Sequence, residues 1–239
     1  MLSGSDNHVH IFHEDSITHI AYEQTPIEAG FPEFDDDLPS VALWIEFYQS
    51  TNFRLTAIGC ECGTLFLHKI NRHSENPSFS EVGNSWSINL GTSITCCRFF
   101  PSVNQNETDQ AQIHLLVTSA LLPASVYTNV CEKGFEQSVV LGGSEKHDVI
   151  TCGLVCDLHM DQKPSILVGT YGQELICYRP PFDAFDIGTE GSNSCWSPAW
   201  HRSFSHPILA VDYTDVTGDG VKELILLTTR GVQILQVSK

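Results

Sequence analysis

Asp215, Thr217, Asp219 and Glu223 alternate through the loop Asp215-Val-Thr-Gly-Asp-Gly-Val-Lys-Glu223, which has the spacing of a ligand set. A hard cation such as Ca²⁺ takes about six to eight oxygens, and alternate residues of a tight turn can aim theirs at one centre. Gly220 permits the turn, and Glu223 stands where a closing carboxylate would. Threonine instead of an acid at position 217 lowers the charge, and so the affinity, of such a site. A second loop, Asp157-Leu-His-Met-Asp161-Gln-Lys-Pro-Ser165, echoes the first without glycine and with serine where the last acid would fall. Aspartates in such loops also cap the backbone N–H groups of their own turn. We read the loop as a structural turn, with weak Ca²⁺ binding by Asp215, Thr217, Asp219 and Glu223 as the competing reading. No other cofactor is expected.

Other polar clusters carry less chemistry. Gly169-Thr-Tyr-Gly172-Gln-Glu174 has the glycines of a phosphate loop but neither its lysine nor a following helix, and reads as a hairpin turn. Alternation puts His8 and His10 on one face of a strand, with His13 nearby; without an acidic or cysteine partner at a telling distance they read as exposed histidines. No G-x-S-x-G elbow, H-E-x-x-H pair or paired C-x-x-C knuckle occurs, so no catalytic residue is expected and the chain does not read as an enzyme. Cys60, Cys62, Cys96, Cys97, Cys152, Cys156 and Cys177 sit in apolar runs and read as free thiols that behave as small hydrophobes.

Charge narrows the partners. Lys plus Arg number 12 against 29 Asp plus Glu, a formal charge of −17. Such a surface repels phosphates and anionic lipid, which argues against nucleic acid and against direct membrane insertion. No apolar run reaches the ~18 residues of a transmembrane helix, and Met1 to Phe12 lacks the basic-then-apolar layout of a signal peptide. The acids are dispersed except for Glu33 to Asp37, which reads as a solvated loop.

The elements that carry these residues repeat. Strand patterns open near Val41, Ser93, Val149 and Pro207, in steps of 52, 56 and 58 residues. Each crosses a loop into a tight hairpin, beginning at Leu55, His114, Ile166 and Leu224, and three reach a further strand: Ser85 to Leu90, Gln137 to Gly142 and Ala199 to Phe204. Repeats of this length suit the four-stranded antiparallel blades of a β-propeller. The expectation is an all-β propeller portion, an incomplete ring of about five blade positions. Its blade units fall at approximately 1–39 (partial), 40–91, 92–148, 149–205 and 206–239 (partial). The first lacks its opening strand and the last its closing one, so the two do not complete each other. An unclosed end exposes strand edges, and poor solubility or self-association is expected. Long polar insertions at Pro101 to Gln112 and Pro180 to Ser197 suit partner binding. Trp44, Trp86, Trp196 and Trp200 read mostly as core, with an interface anchor as the alternative for Trp196, which lies in a loop.

Three blocks carry a family resemblance: LSGSDNHVHIFHE with the later FPEF, LVGTYGQELICY, and WHRSFSHPILAVDYTDVTGDGVKELILLTTRGVQILQ. With VALWIEFY, RLTAIGCECG and LLVTSALLPASVY in order between them, the chain resembles the C-terminal portion of the kaptin family of FG-GAP-like β-propeller proteins. Members have further blades upstream and a charged helical tail downstream. The resemblance implies a non-catalytic scaffold within KICSTOR, partnering its other subunits and through them the GATOR complex. That role implies a cytosolic protein, peripheral at the lysosomal membrane, that restrains TOR signalling when amino acids are scarce. The family link to actin filaments at cell edges and in stereocilia makes an actin-associated protein one alternative. A calcium-binding FG-GAP adhesion module is another, and lacks the signal peptide and fully acidic loops that it would need.

Overall fold

Val, Ile, Leu and Phe recur with period two, or run unbroken, between turn residues, and such segments pair as strands. The computed structural model describes residues 1–14, 22–24, 30–35, 37–72, 80–102, 112–180 and 196–236. They belong to two compact units, Met1–Ile94 and Thr95–Lys239.

In the first unit β1 (Leu2–Ser3) pairs with β2 (Val9–His10), and β3 (Phe12–Glu14) with β4 (Tyr22–Gln24), both antiparallel. A four-stranded antiparallel sheet follows in chain order: β5 (Ala42–Gln49), β6 (Phe53–Cys60), β7 (Thr64–Arg72) and β8 (Ser80–Asn89). The β6–β7 turn needs a glycine. Gly63 has φ 89°, and a Cβ there would lie 2.5 Å from the Thr92 backbone nitrogen.

The second sheet opens at the last residue of the first unit, with β9 (Ile94–Pro101), β10 (Ile113–Ser119), β11 (Ser125–Tyr127) and β12 (Ser138–Val140). One helical turn, α1 (Val130–Lys133), lies between β11 and β12. A third sheet runs β13 (Ile150–Cys156), β14 (Ser165–Thr170), β15 (Glu174–Arg179) and β16 (Ser197–Ser203). The last has three strands among the described residues, β17 (Ile208–Thr214), β18 (Glu223–Thr228) and β19 (Gly231–Gln236). The expected all-β fold of four-stranded antiparallel sheets is present. Each opening strand starts one residue after the position read from the sequence.

Inner strands are buried on both sides, as stacked sheets require. Every residue of β10 and β14 is buried. Within the second unit Ile166, Val168, Ile176 and Tyr178 of the third sheet pack with Phe100, Leu116 and Val126 of the second. Alternation turns Leu167, Leu175 and Cys177 to the opposite face, where Ile208, Val211, Leu224 and Leu226 meet them. Full burial of each such aliphatic side chain contributes about 1.5–3 kcal/mol. Trp196 belongs to this core, as the favoured reading expects, and not to an interface: it is 1% exposed and forms a bridge with Leu141.

Beside the apolar core formed by Val9, Phe34, Leu38, Ala42 and Ile58, the first unit buries a polar cluster. Arg54, on β6, donates from Nη2 to Glu33 Oε1 and Oε2, both at 2.8 Å, and from Nε to Oε1 at 3.1 Å. Thr56 Oγ1 donates to Glu33 Oε1 at 2.7 Å, and Arg54 Nη2 to the Gly30 carbonyl at 2.9 Å. The guanidinium carbon lies 4.4 Å from the centre of the Phe31 ring. Glu33, expected in a solvated loop, is therefore an anchor that ties Phe31 to Phe34 onto the sheet; Asp35 and Asp37 are exposed, and Asp36 lies outside the described residues. Removing one member of a buried pair strands a charge, whereas replacing both removes the need for either. Arg54→Met is expected to cost about 3–5 kcal/mol in urea unfolding, and Glu33→Leu/Arg54→Met markedly less. Equal losses in the two variants would contradict the pairing.

Candidate functional site

Strands β13 and β17 lead into the two acidic loops singled out by their spacing. In the second loop Asp215 folds back on its own turn: its Oδ1 accepts from the Gly218 N–H at 2.6 Å and its Oδ2 from the Gly220 N–H at 2.8 Å. Asp219 Oδ1 accepts from the Val221 N–H at 2.9 Å. Glu223, 1% exposed at the start of β18, accepts from the Val216 N–H at 2.9 Å and from Thr217 Oγ1 at 3.4 Å. The N–H groups of Gly220 and then Gly218 hold the Asp215 carboxyl below the usual aspartate range.

The first loop repeats this geometry. Asp157 Oδ1 accepts from the Asp161 N–H at 3.0 Å and Oδ2 from the Gln162 N–H at 2.8 Å. Left-handed backbone falls three and five residues after the leading aspartate in both loops: at Gly218 (φ 74°) and Gly220 (φ 87°), and at Met160 (φ 54°) and Gln162 (φ 62°). The sequence echo looked degraded because non-glycine residues occupy these two positions, at a cost of about 1–3 kcal/mol each. Asp161 pairs with Arg179 of β15.

Between the loops lies a cavity of about 440 Å³, lined by Leu154, Val155, Asp157, Met160, Tyr213 and Lys222 among others. Lys222 Nζ lies 5.7 Å from the centre of the Tyr213 ring. The Tyr213 hydroxyl is enclosed without a hydrogen-bond partner among the described residues, and burial, then the charges of Cys156, Asp157 and Glu223, raise its pKa. Cys156, which also lines the cavity, is pushed up to about 12, chiefly by burial. Its thiol stays protonated at neutral pH, so the cavity offers shape and hydrogen-bonding groups rather than an activated nucleophile.

The four residues Asp215, Thr217, Asp219 and Glu223 thus share one loop, and their carboxylates face its amides. Among the described residues no group of three or more His, Cys, Asp or Glu side chains is placed to hold a metal ion. His10 Nε2 meets Asp6 Oδ2 at 2.8 Å, and His8 Nε2 lies 3.5 Å from Asp37 Oδ1. The described cysteines are free; Cys62 is exposed in the β6–β7 turn rather than part of an apolar strand. Sequence reasoning missed the pairing of His147 Nδ1 with the Glu174 carboxylate, whose partners are 27 positions apart with no periodic signal to join them. Most of both polar insertions, 103–111 and 181–195, lies outside the described residues. Among the described residues no helix is long and apolar enough to cross a membrane.

The turn geometry has a pH signature. The folded pKa of Asp215 lies below the ordinary aspartate value of 3.8, so its contribution is full above about pH 4 and lost as pH falls through the folded value. Asp215→Ala is expected to lower the Tm at neutral pH, with the gap to the wild type narrowing in acid below about pH 4, and about millimolar CaCl₂ to leave the wild-type Tm unchanged. A gap that does not depend on pH would contradict the capping role, and a Tm raised by calcium would favour the metal reading.

Comparison with known proteins places this geometry. The family described as KICSTOR complex protein kaptin matches residues 1–239. The curated KICSTOR complex protein kaptin of Mus musculus is 34% identical over 244 residues, covering 100% of this chain and 54% of its own length. The chain thus spans about half the length of that relative. Among solved structures, Sqt1 of Saccharomyces cerevisiae is similar with a TM-score of 0.55 and 11% identity, covering 99% of this chain and 58% of its own. The BBS1N chain of a complex with ARL6DN follows at a TM-score of 0.50 and 14% identity, covering 94% and 57%. At these identities the likeness shows the fold alone, which is all-β and propeller-like. The match over the whole chain and the identity to the mouse protein show that this chain belongs to the KICSTOR complex protein kaptin family.

Proposed function

We propose that the chain acts as a non-catalytic interaction scaffold within KICSTOR, helping to tether the GATOR complex at the lysosomal surface and so to restrain TOR signalling when amino acids are scarce. The observation that carries this reading is the family match across residues 1–239. The cavity between the acidic loops supports a binding role, because it holds no group poised for chemistry. A formal charge of −17 favours protein surfaces over phosphate or anionic lipid, in keeping with peripheral attachment through other subunits.

In this reading the sheets are blades, with units near 1–39, 40–91, 92–148, 149–205 and 206–239. The insertions at 101–112 and 180–197 then meet partner subunits, and the Asp215 to Glu223 loop serves as a blade turn. Affinity capture of the tagged chain from amino-acid-starved cells should recover KICSTOR and GATOR subunits. Recovery of actin without lysosomal regulators would overturn the proposal in favour of a cytoskeletal role.

A further inference from the structure

We propose that the cavity between the two acidic loops is a carboxylate site, which takes an aliphatic group bearing one carboxylate and holds it by Lys222 and Tyr213. The site extends the binding role given to this cavity and is independent of which complex the chain joins. Its failure and a failure to recover KICSTOR subunits are therefore separate results. Leu154 to Asp157, at and just past the end of β13, wall the cavity together with Tyr213 of β17. Met160 of the first loop and Gly220 and Lys222 of the second complete the wall, all within the unit Thr95–Lys239. A volume of about 440 Å³ falls within the ~300–1,000 Å³ of small-ligand sites.

The acceptors around this cavity are engaged and the donors are not. Asp157 accepts the Asp161 and Gln162 N–H groups, one on each carboxylate oxygen, and Asp215 accepts those of Gly218 and Gly220 in the same way. Lys222 is exposed and has no ion pair among the described residues; its ammonium lies over the Tyr213 ring, 5.7 Å from the centre. The Tyr213 hydroxyl is enclosed and has no partner among the described residues. Leaving an enclosed donor unpaired is costly, so both groups call for an acceptor. The two oxygens of one carboxylate can meet the ammonium and, as the flexible Lys222 side chain shifts, the hydroxyl of the ring it covers.

The same groups disfavour other ligands. A phosphate is held by several N–H groups or cations, whereas the loop N–H groups here already donate to aspartates and Lys222 is the cation in the wall. A cationic ligand would meet carboxylates already engaged by amides. The formal charge of −17 opposes any anion at long range, but physiological salt screens that field beyond about 8 Å, and the contacting groups decide. The aliphatic body follows from the rest of the wall. Leu154, Val155 and Met160 are apolar, and Val221, between two lining residues, is 40% exposed. Met160 is 47% exposed and held at φ 54°, a strained backbone that presents an adaptable side chain at the rim. Such a ligand is either a free aliphatic acid or a glutamate side chain set among aliphatic residues of a protein partner.

Titrations of the 239-residue chain followed by amide NMR test this. Hexanoate is the free acid and the capped peptide acetyl-Leu-Glu-Leu-amide the protein-borne one, with hexanol, hexylamine and inorganic phosphate as controls. At least one carboxylate probe should shift the amides of Met160, Gly220 and Lys222 with a Kd on the order of millimolar, and the tighter of the two identifies the source. Lys222→Met should weaken that binding about tenfold or more. Tyr213→Phe should weaken it about tenfold without lowering the Tm of the free protein, because the hydroxyl it removes has no partner to lose. The proposal is overturned if neither carboxylate probe shifts these amides, or if hexanol, hexylamine or phosphate binds as tightly. Undiminished carboxylate binding in either variant overturns it as well.

Discussion

A sheet that is apolar on both faces must lie between two others, and the second unit is built on that constraint. The third sheet turns Ile166, Val168 and Tyr178 to one neighbour and Leu167, Leu175 and Cys177 to the other. Stacking this close leaves no room for a side chain where the sheets converge. A Cβ at Gly169 would lie 2.6 Å from Cys152 Sγ and 2.9 Å from Ile208 Cγ2, so glycine is required by space rather than by backbone conformation. Beside it Thr151 Oγ1 donates to the Ile208 carbonyl at 2.6 Å and, at 3.1 Å, to the Gly169 carbonyl, tying β13 to the start of β17. The first unit has the same device, where a Cβ at Gly59 would lie 2.4 Å from Ile94 Cγ2.

That framework satisfies several buried polar groups. Glu33 is held by Arg54 and Thr56 in the first unit. In the second, His114 sits against Phe100 and accepts from the Asn129 N–H at its Nδ1, 3.3 Å away. Burial pulls its pKa down to about 4, so it stays neutral across the physiological range. Loop aspartates are spent on their own amides, which fixes the loops' shape and leaves the cavity walls to present Tyr213 and Lys222.

The sheets were legible because their signal is local: alternation, apolar runs and glycine turns located all four opening strands to within a residue. Features that depend on distant partners were not. Glu33 looked like part of an acidic surface stretch because Arg54 lies 21 positions away. The Asp157 loop looked like a decayed copy because Met160 and Gln162 take up the left-handed backbone that glycine would announce. Trp196 carried an alternative reading as an interface anchor because the polar composition before it reads as loop, yet its side chain belongs to the core between two sheets.

The central structural claim is that stability resides in strands covered on both faces and declines toward the outer strands. Native-state amide hydrogen exchange tests it most directly. The amides of β14 should exchange only through global unfolding, with protection matching the full unfolding free energy, while those of β12 exchange through smaller openings. Exchange in β14 as fast as in β12 would contradict the account.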